Sequence, residues 1–256
     1  SLDKSKLMML EMLANANWVR PYYVAMTVGS DNYMNLGNHF IQEGLVYRIT
    51  PFHTRAEGMT DFDTDKTFDC VMNKFKFGGI DKEGVYLDET VMRMCLTHRQ
   101  LMTELARHLV AEGRNDDAKK VLEKMDKEIP AYNVPYDFDS RILNYGQTDK
   151  PLVYSQGASF TAAELYVTLG ETKKAQTILE SLWKRACQYF DYYMSMDIGV
   201  YNNDCLKQFN QMLHITGLME KCDRNRYRKM SEELQKMMER FMVGGGDTEN
   251  IYWNWV

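Results

Sequence analysis

The sequence predicts a mainly α-helical fold of stacked helix pairs, preceded by a small two-stranded β element. Residues 98–130 have apolar side chains at the i, i+3, i+4 and i+7 spacing of two one-sided helices, separated by Gly113. Five positions then recur at a constant offset of 57 residues: Ala106, Gly113, Ala118, Leu122 and Met125 correspond to Ala163, Gly170, Ala175, Leu179 and Leu182. Because one helix pair cannot bury its own apolar face, we expect the pairs to stack.

The recurring positions are typical of tetratricopeptide-like helix pairs. Such pairs have a small residue where the helices cross, a glycine at the turn and a second alanine at the next crossing. The usual period is about 34 residues. We therefore interpret residues 131–155 as an irregular insert between the two pairs.

The N-terminal region predicts the β element. Residues 22–28 and 45–50 are rich in aromatic and β-branched side chains and predict two strands that pair as a ribbon. Residues 36–42, between them, predict a helical turn. We place the domain boundaries at residues 1–63 for the N-terminal helix and ribbon, 64–243 for the helical domain, and 244–256 for a C-terminal tail.

Capping and periodicity predict the individual helices. They cover residues 5–16, 64–77, 89–112, 203–218 and 223–242, and another helix between Gly113 and Pro130. The predicted caps are Ser5, Asp63 or Thr64, Asp88, and Asn115 for the helix that follows Gly113. In the tail, Ile251, Trp253 and Trp255 alternate and predict docking on the body, since exposed they would form a sticky patch.

Composition excludes several classes of function. The net charge of −5 gives no overall attraction to nucleic acid or to anionic lipid. No apolar run reaches roughly 18 residues, so we expect no membrane insertion by this chain. The five cysteines are odd in number and form no CxxC pair, which favours free thiols over disulfides or a zinc site. We predict no cofactor and no metal. Since residue 1 is not Met, we expect a piece of a longer protein.

Residues 17–51 carry a resemblance to a known family. The segments NWVRPYYVAMTVGSDNY and HFIQEGLVYRITPF resemble the C-terminal region of a family of multi-spanning bacterial membrane proteins common in Bacteroidetes. That family is similar to the eukaryotic protein O-mannosyltransferases of the endoplasmic reticulum that modify plexin-type receptors. MNKFKFGGI, VYLDE and VPYD continue the likeness, which is strong to residue 137 and looser beyond.

The resemblance implies a role for the chain. In that family an N-terminal membrane portion is thought to hold the glycosyltransferase site, and a soluble portion with tetratricopeptide-like repeats lies on the periplasmic side of the inner membrane. This chain would be that soluble portion, with no catalytic residue of its own. Its implied partners are the membrane-embedded portion of the same polypeptide and an acceptor protein or peptide. Two alternatives stay open: a stand-alone scaffold for protein–protein interaction, and a soluble sugar-acting enzyme that uses Asp61, Asp63 and Asp65.

Two groups of residues are candidates for chemistry. Arg20, Tyr22, Tyr47 and Arg48 lie on or beside the two predicted strands, and forked guanidinium donors next to flat phenol rings suit binding to the membrane portion, a glycan or an acceptor. The alternative is that they hold the ribbon against its helices. The Asp61–Asp65 spacing suits a divalent cation, whereas the alternative is a polar loop with a helix cap.

Overall fold

The computed structural model describes residues 3–53, 61–139 and 157–246, and the fold there is mainly helical with a small N-terminal sheet. The predicted tail beyond residue 246 and most of the predicted insert, residues 140–156, lie outside the described residues. The helices are α1 (Lys4–Ala14), α2 (Thr64–Asp69), α3 (Glu89–Ala111), α4 (Asn115–Glu128), α5 (Ala158–Thr168), α6 (Thr172–Met194), α7 (Ile198–Cys222) and α8 (Arg224–Val243). The strands are β1 (Tyr22–Ala25), β2 (Phe40–Glu43), β3 (Val46–Ile49) and β4 (Asp61–Phe62).

The β element is a four-stranded sheet, so the prediction of two strands was incomplete. The strand order is β1-β3-β2-β4, in which β3 pairs antiparallel with both β1 and β2, and β4 runs parallel to β2. The predicted strands pair with each other as expected. The predicted helical turn over residues 36–42 was wrong in its second half, where a 3₁₀ turn gives way to β2. Pairing with β3 decides this short segment, because four residues are too few to show a period of their own.

The hairpin between β2 and β3 connects the sheet to the helices. Gly44 has φ +67°, the left-handed region in which a side chain is disfavoured. Its backbone N–H donates to the buried hydroxyl of Thr67 in α2, at 3.0 Å. Leu45 and Phe62 pack against the helical core. The sheet therefore sits on α2 at one end of the helical stack.

The two helix pairs aligned at offset 57 have the same turn. Gly113 and Gly170 have φ +77° and +82°. The next residue in each turn, Arg114 or Glu171, donates its backbone N–H to a carbonyl five residues earlier, at 2.8 Å in both cases. The aligned helix positions are all buried: Ala106, Ala118, Leu122 and Met125 in the first pair, and Ala163, Ala175, Leu179 and Leu182 in the second. Sequence and backbone thus repeat together.

Several helix ends have the predicted caps, and three predicted ends differ from the structure. Asp63, Asp88 and Asp223 each accept a backbone N–H at the start of a helix. In α1 the cap is Asp3 rather than Ser5. Asn115 is the first residue of α4 and not its cap. The helix predicted over residues 64–77 ends sooner, because a π-helical turn at Cys70–Lys74 follows α2 and Phe75 then has an extended backbone.

One continuous core runs through α3 to α8. Arg99 of α3 is buried in it and donates to the carbonyl oxygens of Ile129, Val134 and Pro135, at 2.9, 2.5 and 3.3 Å. Its guanidinium also lies 5.1 Å from the ring centre of Tyr136. Arg99 therefore ties the segment after α4, which contains the VPYD motif, to the first helix pair, and the Tyr136 hydroxyl adds a hydrogen bond to Asp126 of α4 at 3.3 Å.

Candidate functional site

The strongest candidate site is a groove at the edge of the sheet, here called the Arg20–Arg48 groove. It has a volume of about 690 Å³, and its lining includes Trp18, Val19, Arg20, Arg48, Ile49 and Phe52. Arg20 lies next to Pro21, which leads into β1, while Arg48 lies opposite Tyr23 in the β1–β3 register. Strand pairing thus brings together two arginines that are 28 positions apart in the sequence.

The structure separates Tyr47 from this groove. Neighbouring residues of a strand point to opposite faces, so Tyr47 lies on the face away from Arg48. There its ring stacks on Phe40, with centroids 5.8 Å apart, and meets Tyr33 edge-on at 6.0 Å. Burial raises the pKa of Tyr47. Val24 is the cross-strand partner of Tyr47. Tyr22 lies two positions before Val24 in β1, so it is on the same face of the sheet as Tyr47. Of the four candidate residues, Arg20 and Arg48 line the groove, whereas Tyr22 and Tyr47 do not.

Arg48 belongs to a small ion-pair network that the sequence analysis missed. Its Nε donates to Oε1 of the buried Glu43 at 2.5 Å, and Lys66 Nζ donates to the same oxygen at 2.8 Å. The Tyr23 hydroxyl donates to the other oxygen at 3.4 Å. Burial alone would raise the pKa of Glu43, but the hydrogen bonds from Lys66 and Arg48 outweigh it and the pKa is lowered. The network holds Arg48 in place and leaves its terminal nitrogens directed elsewhere.

Large apolar side chains stand exposed along the groove. Val19 is 86% exposed, Phe52 74% and Trp18 42%. Asn17 and Trp18 have φ +46° and +52°. For a bulky side chain such as Trp this left-handed conformation is uncommon. Strained backbone of this kind clusters at functional sites, so the segment before Arg20 is part of the candidate site.

Helix α1 carries a second exposed apolar surface, separate from the residues that line the groove. It has no buried residue, and Leu7, Met8, Leu10 and Met12 are all exposed. The described residues therefore do not cover these four side chains. A helix that is apolar on most sides is normally enclosed by other protein or by lipid, so this surface is suited to a partner.

The Asp61–Asp65 cluster is not arranged as a cation site. The Asp61 side chain accepts the Phe62 backbone N–H, Asp63 caps α2, and Asp65 pairs with Arg114 Nη1 at 2.7 Å. The described residues contain no group of three or more His, Cys, Asp or Glu side chains placed to hold a metal ion. The helix-cap interpretation accounts for Asp63, and the geometry does not favour the metal-using alternative.

The N-terminal part of the chain matches a known protein family. A family model described as TMEM260-associated domain 2 matches residues 1–66, a range that contains α1, the sheet and the start of α2. The match supports a TMEM260-related family and suggests that the chain is a domain of a TMEM260-like membrane protein. No curated protein and no solved structure matches the chain. Among the described residues, none of the helices is long and apolar enough to cross a membrane.

Proposed function

We propose that this chain is the extramembrane, periplasmic part of a TMEM260-like membrane glycosyltransferase, and that it is not itself catalytic. The observation that carries the proposal is the match of residues 1–66 to a TMEM260-associated domain. Catalysis would belong to the membrane-embedded portion of the longer polypeptide. This chain would bind or position the acceptor protein, or stabilise the membrane-embedded portion.

The exposed surface of α1 supports a contact with the membrane-embedded portion. Four large apolar side chains on one short helix are uncovered, and leaving such a surface in water is unfavourable by roughly 25 cal/mol per Å². A protein partner at the N-terminal end of the domain would remove this cost. The matched region and the exposed surface coincide, which is what a shared interface requires.

The repeated helix pairs support the acceptor-binding part. The identical turns at Gly113 and Gly170 and the equivalent buried positions favour a tetratricopeptide-like arrangement. Stacked pairs of that type form an extended concave surface that suits a peptide or loop. The same feature favours the second candidate function, a stand-alone interaction scaffold.

The size and membrane association of the native protein distinguish the two proposed functions. An antibody against this chain would be used to measure the size of the native protein, its sedimentation with membranes, and its loss when protease is added to spheroplasts. We expect a band much larger than 30.0 kDa that stays in the membrane pellet after a carbonate wash and is lost to external protease, while a cytoplasmic control protein survives. A band near 30.0 kDa in the supernatant would refute the membrane-protein proposal and favour the scaffold.

A further inference from the structure

The geometry points to a lipid contact at the candidate site: we infer that the Arg20–Arg48 groove binds the phosphate of an anionic phospholipid headgroup. Trp18, Val19 and Phe52 would rest among the headgroups beside it. The inference rests on the proposed function, because lipid binding requires that the domain lie close to a bilayer. It concerns peripheral contact and no spanning segment.

The donors of the groove are available to a ligand. Arg20 is exposed and makes no hydrogen bond or ion pair with any residue that the structure describes. Arg48 uses Nε for Glu43, while its two terminal nitrogens have no partner in the described part of the chain. Guanidinium forks match the oxygens of a phosphate and bind them in pairs. Both forks line the same cavity, so the cavity is suited to an anion.

The carboxylate of Glu43, next to the groove, does not neutralise the positive charge of both arginines. Glu43 is buried, and its charge is shared between Arg48 and Lys66, with Lys66 Nζ at 2.8 Å. Lys66 also pairs with Asp63 at 3.4 Å, so the two carboxylates balance Arg48 and Lys66, and the excess positive charge is that of Arg20. Arg20 has no carboxylate partner among the described residues. A negatively charged ligand would therefore meet a local excess of donors, although the whole chain has a net charge of −5. The attraction is local, because charges beyond about 10 Å are largely screened at moderate salt.

The apolar rim distinguishes a bilayer from a free anion. Three large side chains, Trp18, Val19 and Phe52, stand exposed at the same groove, and a soluble phosphate would make no use of them. Trp is enriched at the headgroup level of membranes because its ring is apolar with one polar edge. Trp18, whose backbone has a left-handed conformation, lines the groove and is 42% exposed. Basic and apolar groups side by side are the two requirements of peripheral lipid binding.

The test is sedimentation of the purified chain with vesicles. Vesicles of phosphatidylcholine mixed two to one with phosphatidylglycerol are compared with vesicles of phosphatidylcholine alone. We expect the chain to sediment with the anionic vesicles and to stay largely in solution with the neutral ones. Because each arginine near an anionic surface contributes about fivefold to partitioning, Arg20→Gln should lower the partition coefficient about fivefold. Phe52→Ser should lower it as well, by removing apolar contact.

Arg93→Gln is the matched control. Arg93 is also exposed and its substitution changes the net charge equally, but it lies at the start of α3, paired with Glu89. Its substitution should leave partitioning unchanged. Neither Arg20 nor the 74% exposed Phe52 supports the described core, so both variants should keep the wild-type melting temperature.

Three results would overturn the inference. Equal sedimentation with both vesicles would show that the headgroup charge is not recognised, and equal losses for Arg20→Gln and Arg93→Gln would show only diffuse attraction. If inorganic phosphate protected Arg20 from phenylglyoxal while the chain stayed out of the vesicle pellet, the groove would be a site for a free anion. The assay uses pure lipid, so these results would refute lipid binding without testing the proposed function. The experiment on the native protein tests the proposed function separately.

Discussion

Replacing Gly113 or Gly170 by alanine is expected to destabilise the protein through the backbone alone. Both glycines have φ near +80°, and a Cβ built at either position meets no heavy atom within 4 Å. No clash contributes, so the cost is that of placing an L-residue in the left-handed region, about 1–2 kcal/mol. Alanine also lowers the conformational entropy of the unfolded chain, which stabilises the folded state by about 0.4–1 kcal/mol. The net loss should be about 1 kcal/mol for each variant.

The double variant and urea denaturation measure this effect. Because the two turns share no partner, their costs should add, and the double variant should lose about 2 kcal/mol. In a domain of this size about 1 kcal/mol lowers the melting temperature by roughly 2–4 °C. Asparagine tolerates the left-handed region better than alanine, so Gly113→Asn should cost less than Gly113→Ala.

Gly217→Ala is the control with the opposite expected sign. Gly217 lies inside α7, is exposed, has no left-handed φ and also has open space at its Cβ. Alanine is the better helix former by up to about 1 kcal/mol, so this variant should be more stable than the wild type. The reasoning is refuted if Gly217→Ala and Gly170→Ala shift stability in the same direction, or if Gly113→Asn is as costly as Gly113→Ala.

Three further predictions concern the core. Leu122→Ala and Leu179→Ala, at equivalent buried positions, should each lower the free energy of unfolding by about 2–5 kcal/mol in urea; a loss confined to one pair would contradict their equivalence. Burial between two phenylalanine rings lowers the pKa of His98, so the unfolded state binds the proton better and stability should fall as pH drops below 6.5; His98→Gln should reduce that fall. Arg99→Met removes the guanidinium that donates to three carbonyl oxygens, although the Pro135 oxygen keeps the backbone N–H of Phe138. It should cost several kcal/mol, whereas a change below about 0.5 kcal/mol would show that water replaces the guanidinium.

The alternation of side chains along a strand separates two of the candidate site residues. Tyr47 and Arg48 are consecutive in a strand, and consecutive side chains face opposite sides. The two residues therefore could not share one surface, and the separation seen in the structure follows from the alternation alone. Glu43 and Lys66 gave no comparable signal, because their contact joins two elements that are 23 positions apart.

Local rules account for the features that the sequence predicted correctly. A helix cap such as Asp88 acts on residues three positions away, and helical periodicity extends over only a few turns. The glycine turns and the 57-residue offset are equally local, since each turn closes through hydrogen bonds within five residues. The sequence by itself therefore determined the helix pairs, most of their ends and the positions that face the core.

Contacts between distant segments were decided by the tertiary structure. Strand β2 is too short to show a period, and β3 determines its conformation by pairing with it. The Arg20–Arg48 groove exists only because β1 and β3 are neighbours in the sheet, and Arg48 is oriented by Glu43 and Lys66 from other elements. Strand pairing and buried ion pairs depend on which segments meet in space. The order of residues along the chain does not show which segments these are.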